Sequence, residues 1–398
     1  MKKGILSAIF ILCLFGLVGC NIDGKEEQPN TTKTEDLDEA TLTGMAKDIT
    51  ADMSLKDKIG QLFMVEVSTL DKKSPTKVSE AMKKSLKKYS VGGVVLFSKN
   101  IKTREQTKAL IDDLQKASYI PLFISADEEG GDIARVSNNA NMNMTSYPTA
   151  EEIGSSYSKE QIKNMGTTQS KELKALGFNM NLAPVADVRT NQENTEIGNR
   201  SFGTKASEVA SIISTLVKSM QSQQISATLK HFPGSGGVVG NTHRGMVESK
   251  DTIQQLRKTE FLPFKSGIES KVDGIMVSHI VLSNVCDTKE PASVSERVVT
   301  EILRKELEYD GMIITDAFNM NAITNKYTSS EAALKAVQAG VDIVLMPEDL
   351  KKAYNAVYEA VKQGKIKESR INQSVRRIIY TKIKRGAIPP DTTLIKNN

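Results

Sequence analysis

FNMNLAPVADV (178–188), SEVASIISTLVKSMQSQ (207–223) and ISATLKHF (225–232) follow one another as an apolar run, an amphipathic helical pattern and a second apolar run. Continuous apolar strands separated by helices are what a parallel sheet covered on both faces requires, because parallel neighbours are joined by a helical crossover. The alternation continues on either side. Further apolar runs are LFMVEV (62–67), GGVVLF (92–97), PLFISAD (121–127), GIMVSHIVL (274–282), GMIITDAF (311–318) and VDIVLMP (341–347), and REQTKALIDDLQKAS (104–118) is another helical pattern. Eight β/α units predict an α/β fold, a single (β/α)8 TIM-type barrel, rather than an open doubly wound sheet. The barrel domain is expected over 41–388 and a tail over 389–398. Arg376, Arg377, Lys382, Lys384 and Arg385 mark a closing helix, and no second domain is read.

The 398 residues are 39% hydrophobic and 25% charged, which excludes a wholly disordered chain, a collagen-like fibre and a polytopic membrane protein. The formal charge of +5 is spread over both signs, which argues against a nucleic-acid partner. Lys83, Lys84, Lys87 and Lys88 are spaced as one solvated helix face. The three cysteines, Cys13, Cys20 and Cys286, form no C-x-x-C pair, so neither a disulfide framework nor a zinc site is expected.

Lys2 and Lys3 precede an uncharged apolar stretch that ends in Leu17-Val18-Gly19-Cys20. A basic start, an apolar middle and a small residue before cysteine resemble a bacterial lipoprotein signal peptide. Residues 1–19 are expected to be removed and Cys20 lipidated, holding the chain at the extracytoplasmic face of the cell membrane. An uncleaved anchor would give the same address. Residues 20–40 are mostly polar, without apolar period, and read as a tether.

Polar residues interrupt the apolar runs near their C-terminal ends: Asp127, Asp187, Lys230, His231, His279 and Asp316. In a barrel these ends converge on the face where βα loops build active sites. Asp316 follows a strand and precedes a helical stretch, as a nucleophile, a metal ligand or an N-cap would. KHFPGSGGVVGNTHRG (230–245) is a loop whose glycines allow His243 to reach the barrel mouth. An imidazolium near its ordinary pKa of ~6.5 can donate a proton at neutral pH, so His243 is either a general acid or a solvated surface residue. Asp127, Arg200, Lys230 and His231 supply the charges and donors that a sugar or phosphate ligand needs. GSGG (234–237) is a weak phosphate signal because no P-loop lysine follows.

ADEEGGDIARV (126–136), NLAPVADV (181–188), IGNRSFG (197–203), KHFPG (230–234) followed by His243, IMVSHI (275–280), ITDAFNM (314–320) and AGVDIVLMP (339–347) occur in this order. Together they resemble glycoside hydrolase family 3, in its bacterial β-N-acetylglucosaminidase branch, over roughly the whole folded part. The resemblance implies that Asp316 is the nucleophile of a retaining β-N-acetylhexosaminidase and that His243 replaces a second carboxylate as acid/base. It implies that Asp127, Arg200, Lys230 and His231 hold the sugar beside the cleaved bond, with Asp187 and His279 lining the same pocket. No metal or organic cofactor and no protein partner are implied; the partners are a glycan, of cell-wall peptidoglycan or a related amino-sugar polymer, and the membrane.

The chain also departs from the family. The branch usually reads KHFPGHGDTxxDSH where this chain reads KHFPGSGGVVGNTH. Ser235 thus replaces the second histidine, Gly237-Val238 the aspartate-threonine pair, and Asn241 the aspartate two before His243. A carboxylate beside an imidazole raises its pKa and orients it, whereas an amide only orients it, so Asn241 is expected to tune the acid/base. EGGRV is usual where Glu129-Gly130-Gly131-Asp132-Ile133 stands, with Arg135 nearby. Two readings follow: a glycosidase with a less supported acid/base, or a catalytically impaired glycan-binding lipoprotein on the same barrel. Survival of Asp316, His243 and the four sugar-holding positions favours the enzyme. A two-lobed solute-binding lipoprotein fits eight successive strand runs poorly.

Overall fold

Every apolar run contains one strand of a single parallel sheet: β1 (Phe63–Glu66), β2 (Gly93–Val95), β3 (Phe123–Ala126), β4 (Met180–Asn181), β5 (Ser226–Phe232), β6 (Gly274–Val277), β7 (Met312–Thr315) and β8 (Val344–Leu345). The computed structural model describes residues 37–390. The expected signal peptide, Cys20, most of the tether and most of the tail lie outside the described residues. Strands pair in chain order, β8 pairs back onto β1 at Phe63 and Val344, and β7 meets β8 through the bridge between Ile314 and Ile343. The sheet is therefore a ring, the predicted barrel. Val94, Ile124, Ile275, Val277, Ile313 and Ile314 are fully buried, as strands covered on both faces must be.

The major helices are α1 (Glu39–Asp52) and α2 (Leu55–Gln61) before the barrel, and α3 (Glu80–Tyr89), α4 (Arg104–Ala117), α5 (Lys159–Leu176), α6 (Ala206–Gln221) and α7 (Phe261–Glu269) after β1 to β5. A π-helical segment, Arg297–Glu306, follows β6; α8 (Ser329–Ala339), α9 (Leu350–Lys362) and α10 (Glu368–Lys384) complete the ring. α1 starts inside the stretch expected to be tether, because Asp38 caps it by accepting the Thr41 N–H at 2.7 Å. Capping boxes start α5 (Ser158 with Gln161) and α8 (Thr328 with Glu331). On α3, Met82 and Leu86 are buried while Lys83, Lys84, Lys87 and Lys88 stay exposed, so the lysine cluster is a wet face.

The N-terminal end of the barrel is closed by charge. Arg385 grips buried Asp273 with two bonds of 2.5 and 2.8 Å. Asp342, fully buried before β8, takes a 2.8 Å bond from Arg304. Lys382 is completely buried, donates to Gln61 Oε1 at 2.6 Å and lies over the Phe123 ring. Lys382 and Arg385 at the end of the chain's closing helix thus turn into the floor, leaving the opposite rim for ligands.

Candidate active site

Asp127 follows β3, Asp187 lies beyond β4, Lys230 and His231 sit within β5, His279 stands just past β6 and Asp316 directly follows β7. These positions share the C-terminal rim. Lys230 is 2% exposed, and its Nζ lies 2.6 Å from Asp127 Oδ1 and 2.6 Å from Glu129 Oε1. Glu129 also receives a forked pair from Arg200, Nε to Oε2 at 2.9 Å and Nη2 to Oε1 at 2.8 Å. Burial alone would raise the Glu129 pKa, but Lys230 and Arg200 outweigh it and hold it at about 2. Burial works against the Lys230 charge too, and Asp127 and Glu129 lift its pKa above the usual lysine value. Asp127 and Arg200 keep 18% and 21% of their side chains exposed, against 3% and 5% for Lys230 and Glu129. Asp127 and Arg200 are thus the members open to solvent, with Lys230 and Glu129 packed beneath them.

His231 Nδ1 is 2.7 Å from Asp187 Oδ2, which also accepts the His231 backbone N–H at 3.1 Å. Asp187 Oδ1 accepts the Ser235 N–H at 2.6 Å. A carboxylate accepts, so Nδ1 carries a proton. His279 is fully buried, with Nε2 3.0 Å from the Ala317 carbonyl and Nδ1 2.8 Å from Ser293 Oγ. The carbonyl can only accept, which places the His279 proton on Nε2. Burial lowers the His279 pKa against the pull of Asp316, and the ring holds the residue after Asp316. Asp187 and His279, expected as pocket lining, both lie beneath the mouth as supports.

Asp316 is held by backbone on two sides. Its N–H donates to the Val277 carbonyl at 2.8 Å, and its Oδ1 accepts the Ala317 N–H at 2.7 Å. Burial opposes ionisation, but His279, His231, the Ala317 N–H and Lys230 together hold its pKa below the usual carboxylate value. An ionised carboxylate at a strand end, facing the rim, is the form a nucleophile needs.

The loop after β5 begins rigid and ends exposed. A Cβ on Gly234, at φ +119°, would lie 2.5 Å from Glu260 Cβ, and one on Gly236 would lie 1.9 Å from the Val188 carbonyl oxygen. Close packing, beyond the flexibility expected from sequence, requires these glycines. Val239 and Met246 are 57% and 55% exposed, the only large hydrophobic residues so exposed among the described residues. His243 lies exposed between them. Asn241 Oδ1 accepts the His243 backbone N–H at 2.8 Å, so this amide braces the turn rather than the imidazole.

Three carboxylates here were not singled out from sequence. Glu129 was visible in the acidic run Asp127-Glu128-Glu129, and two buried cations require such a counter-charge. Glu196 accepts the Thr242 N–H at 3.1 Å and the Thr242 hydroxyl at 2.7 Å, a contact set by loop path alone. Glu260 lies beneath Gly234; burial, then Asp187 and Asp251, push its pKa up to about 8. Asp132 is exposed, and Arg135 stands outside the Arg200 network. The Arg135 N–H donates to the Asp127 carbonyl at 3.0 Å, and its side chain lines a cleft of about 510 Å³ with Lys102 and Asn138. Cys286 is half-buried, its Sγ 3.7 Å from Ser295 Oγ.

A barrel with this rim matches known proteins. Residues 54–381 match the family described as glycosyl hydrolase family 3 N terminal domain. The chain belongs to glycosyl hydrolase family 3, as the ordered motifs led us to expect. It is 31% identical to beta-hexosaminidase A of Pseudoalteromonas piscicida over 327 residues, covering 75% of this chain and 54% of that protein. A glycoside hydrolase family 3 beta-N-acetylglucosaminidase structure from Paenibacillus sp. str. FPU-7 superposes with a TM-score of 0.80 at 34% identity, covering 84% of this chain and 63% of the other. The chain therefore spans little more than half the length of these two relatives. The structure of LpqI from Mycobacterium tuberculosis gives a TM-score of 0.74 at 27% identity, covering 84% of this chain and 95% of that one.

Proposed function

We propose that this barrel is a retaining β-N-acetylhexosaminidase that removes terminal β-linked N-acetylglucosamine. The observation that carries the reading is the rim itself: an ionised Asp316 faces it beside a charge network that offers Asp127 and Arg200 outward, and the His243 loop lies alongside. The similarity to proteins named beta-hexosaminidase supports the choice of sugar.

In the first step an Asp316 carboxylate oxygen bonds to the anomeric carbon as the bond to the leaving oxygen breaks. The His243 imidazolium gives its proton to that oxygen, leaving a glycosyl-enzyme and a free alcohol. In the second step water bonds to the anomeric carbon, its proton goes to the neutral His243, and Asp316 departs as carboxylate. Asp127, Arg200, Lys230 and His231 hold the sugar throughout. A fluorinated N-acetylglucosaminyl fluoride should add one sugar mass to the peptide containing Asp316. A label on another residue would contradict the assignment.

The N-terminal sequence supports export and lipidation at Cys20, with amino-sugar polymers of the cell wall as substrate. Activity in fractionated cells should sediment with membranes, and Cys20→Ala should release it. Activity confined to the cytosol would overturn this address.

A further inference from the structure

We propose that Glu196 is a positioning residue for the acid/base histidine, replacing through Thr242 the carboxylate missing at position 241. The inference rests on the reading of His243 given under Proposed function. Asn241 engages the backbone N–H of His243, so the side chain two residues before the imidazole leaves the ring unsupported. The residue directly before His243 is bonded on every polar group. Glu196 accepts both the N–H and the hydroxyl of Thr242, at 3.1 and 2.7 Å, and the Thr242 carbonyl accepts the Ala322 N–H at 3.2 Å. Thr242 is only 5% exposed although its neighbour His243 is open to solvent.

Both partners of Thr242 lead back to the site. The Glu196 carbonyl accepts from Arg200 Nη1 at 3.3 Å, and Arg200 is the outer cation of the sugar-facing network. Two residues before Glu196, Asn194 donates to the Ser235 carbonyl at 2.6 Å and so holds the start of the same loop. Ala322 lies in the short helix Asn321–Thr324, which follows Asp316 and Met320. The 194–200 segment thus ties the loop at both ends to the arginine, and Thr242 ties it to the chain that carries Asp316. A charge-assisted pair of bonds is the strong element of this connection, because an ionised acceptor roughly doubles a hydrogen bond. Its effect is geometric: a reacting group displaced by about 1 Å can lose on the order of 10²-fold in rate.

The test compares kcat/KM on two substrates with the full chain, Glu196→Ala and Thr242→Ala. One substrate is N,N′-diacetylchitobiose, whose sugar leaving group needs a proton. The other is dinitrophenyl β-N-acetylglucosaminide, whose leaving group needs none. Glu196→Ala should lose about tenfold or more on the disaccharide and less than about twofold on the aryl glycoside. Thr242→Ala, which keeps the N–H bond and loses only the hydroxyl, should show the same pattern at smaller size. Equal losses on both substrates would overturn the proposal, because general unfolding or a binding defect strikes both alike. No loss on either would overturn it too. If wild-type protein turns over neither substrate, the glycosidase reading falls and this inference falls with it.

Discussion

The barrel wall and the loop after β5 solve the same problem in opposite ways. On the wall, Lys230, Glu129, Arg200 and Asp127 form a line of alternating charge whose inner members are almost completely buried. On the loop, His243 is open to solvent; its backbone N–H donates to Asn241 Oδ1, and Glu196 holds its neighbour Thr242. On the wall Asp127, Lys230 and Arg200 match the family; on the loop Ser235, Gly237, Val238 and Asn241 depart from it around a retained His243. Binding charge packed into a strand end cannot change without leaving a buried ion unpaired, whereas an exposed loop tolerates substitution. Charge is packed into the wall, whereas the histidine proposed as acid/base stands on an exposed loop.

Four substitutions test the two sides in order of expected effect. Asp316→Asn should reduce turnover by at least about 10³-fold with the fold intact by circular dichroism, because an amide at this position is a far weaker nucleophile than the carboxylate. Residual activity within about tenfold would remove Asp316 from the mechanism.

Glu129→Gln should lower stability by about 3–5 kcal/mol in urea unfolding, since it leaves buried cations undercompensated. The sign with pH follows from its pKa of about 2 in the folded chain, below the ordinary carboxylate value. The Glu129 contribution is complete above that ordinary value of ~4.3 and is lost as pH falls through about 2. The gap between wild type and variant should therefore narrow in acid, and a gap that widened there would contradict the network.

Glu260→Gln should act in the other direction. With a folded pKa pushed up to about 8, Glu260 contributes stability below the ordinary carboxylate value that is lost as pH rises through about 8. The glutamine variant should match wild type near pH 5 and exceed it by roughly 2–4 kcal/mol near pH 9, as followed by thermal unfolding. Parallel curves would show that the carboxyl beneath Gly234 is ionised throughout.

Asn241→Asp is the smallest. The structure engages this side chain on backbone, so a new carboxylate acts on His243 only through charge at an exposed site, worth about fivefold or less. kcat/KM should rise and its basic limb move to higher pH. No gain from a well-folded variant would remove position 241 from the account of the loop.

What could be read beforehand follows the same division. The eight strands were readable because parallel strands buried on both faces leave unbroken apolar runs, and strand-end residues such as Asp127, Lys230 and Asp316 were readable because they interrupt those runs. Partners brought together across the rim were not. Glu129 stood in plain view, yet its bonds to Arg200 and Lys230 depend on where two distant segments cross. Asp187 and His279 look like pocket residues in one dimension and become supports only when Ser235 and Ala317 fold over them. Lys382 reads as part of a basic closing helix, and only the closed barrel shows that it points into the floor. Asn241 could be recognised as a departure from the family, but the turn that sends its oxygen to the His243 N–H could not.

The most direct measurement is release of an aryl leaving group from its β-N-acetylglucosaminide, with the β-glucoside and Asp316→Asn run alongside across about pH 5–8. The account predicts turnover of the N-acetylglucosaminide by wild type, far less of the glucoside, and none by the variant. A folded wild-type protein that releases nothing over this range would contradict it and leave a barrel that holds glycans without cleaving them.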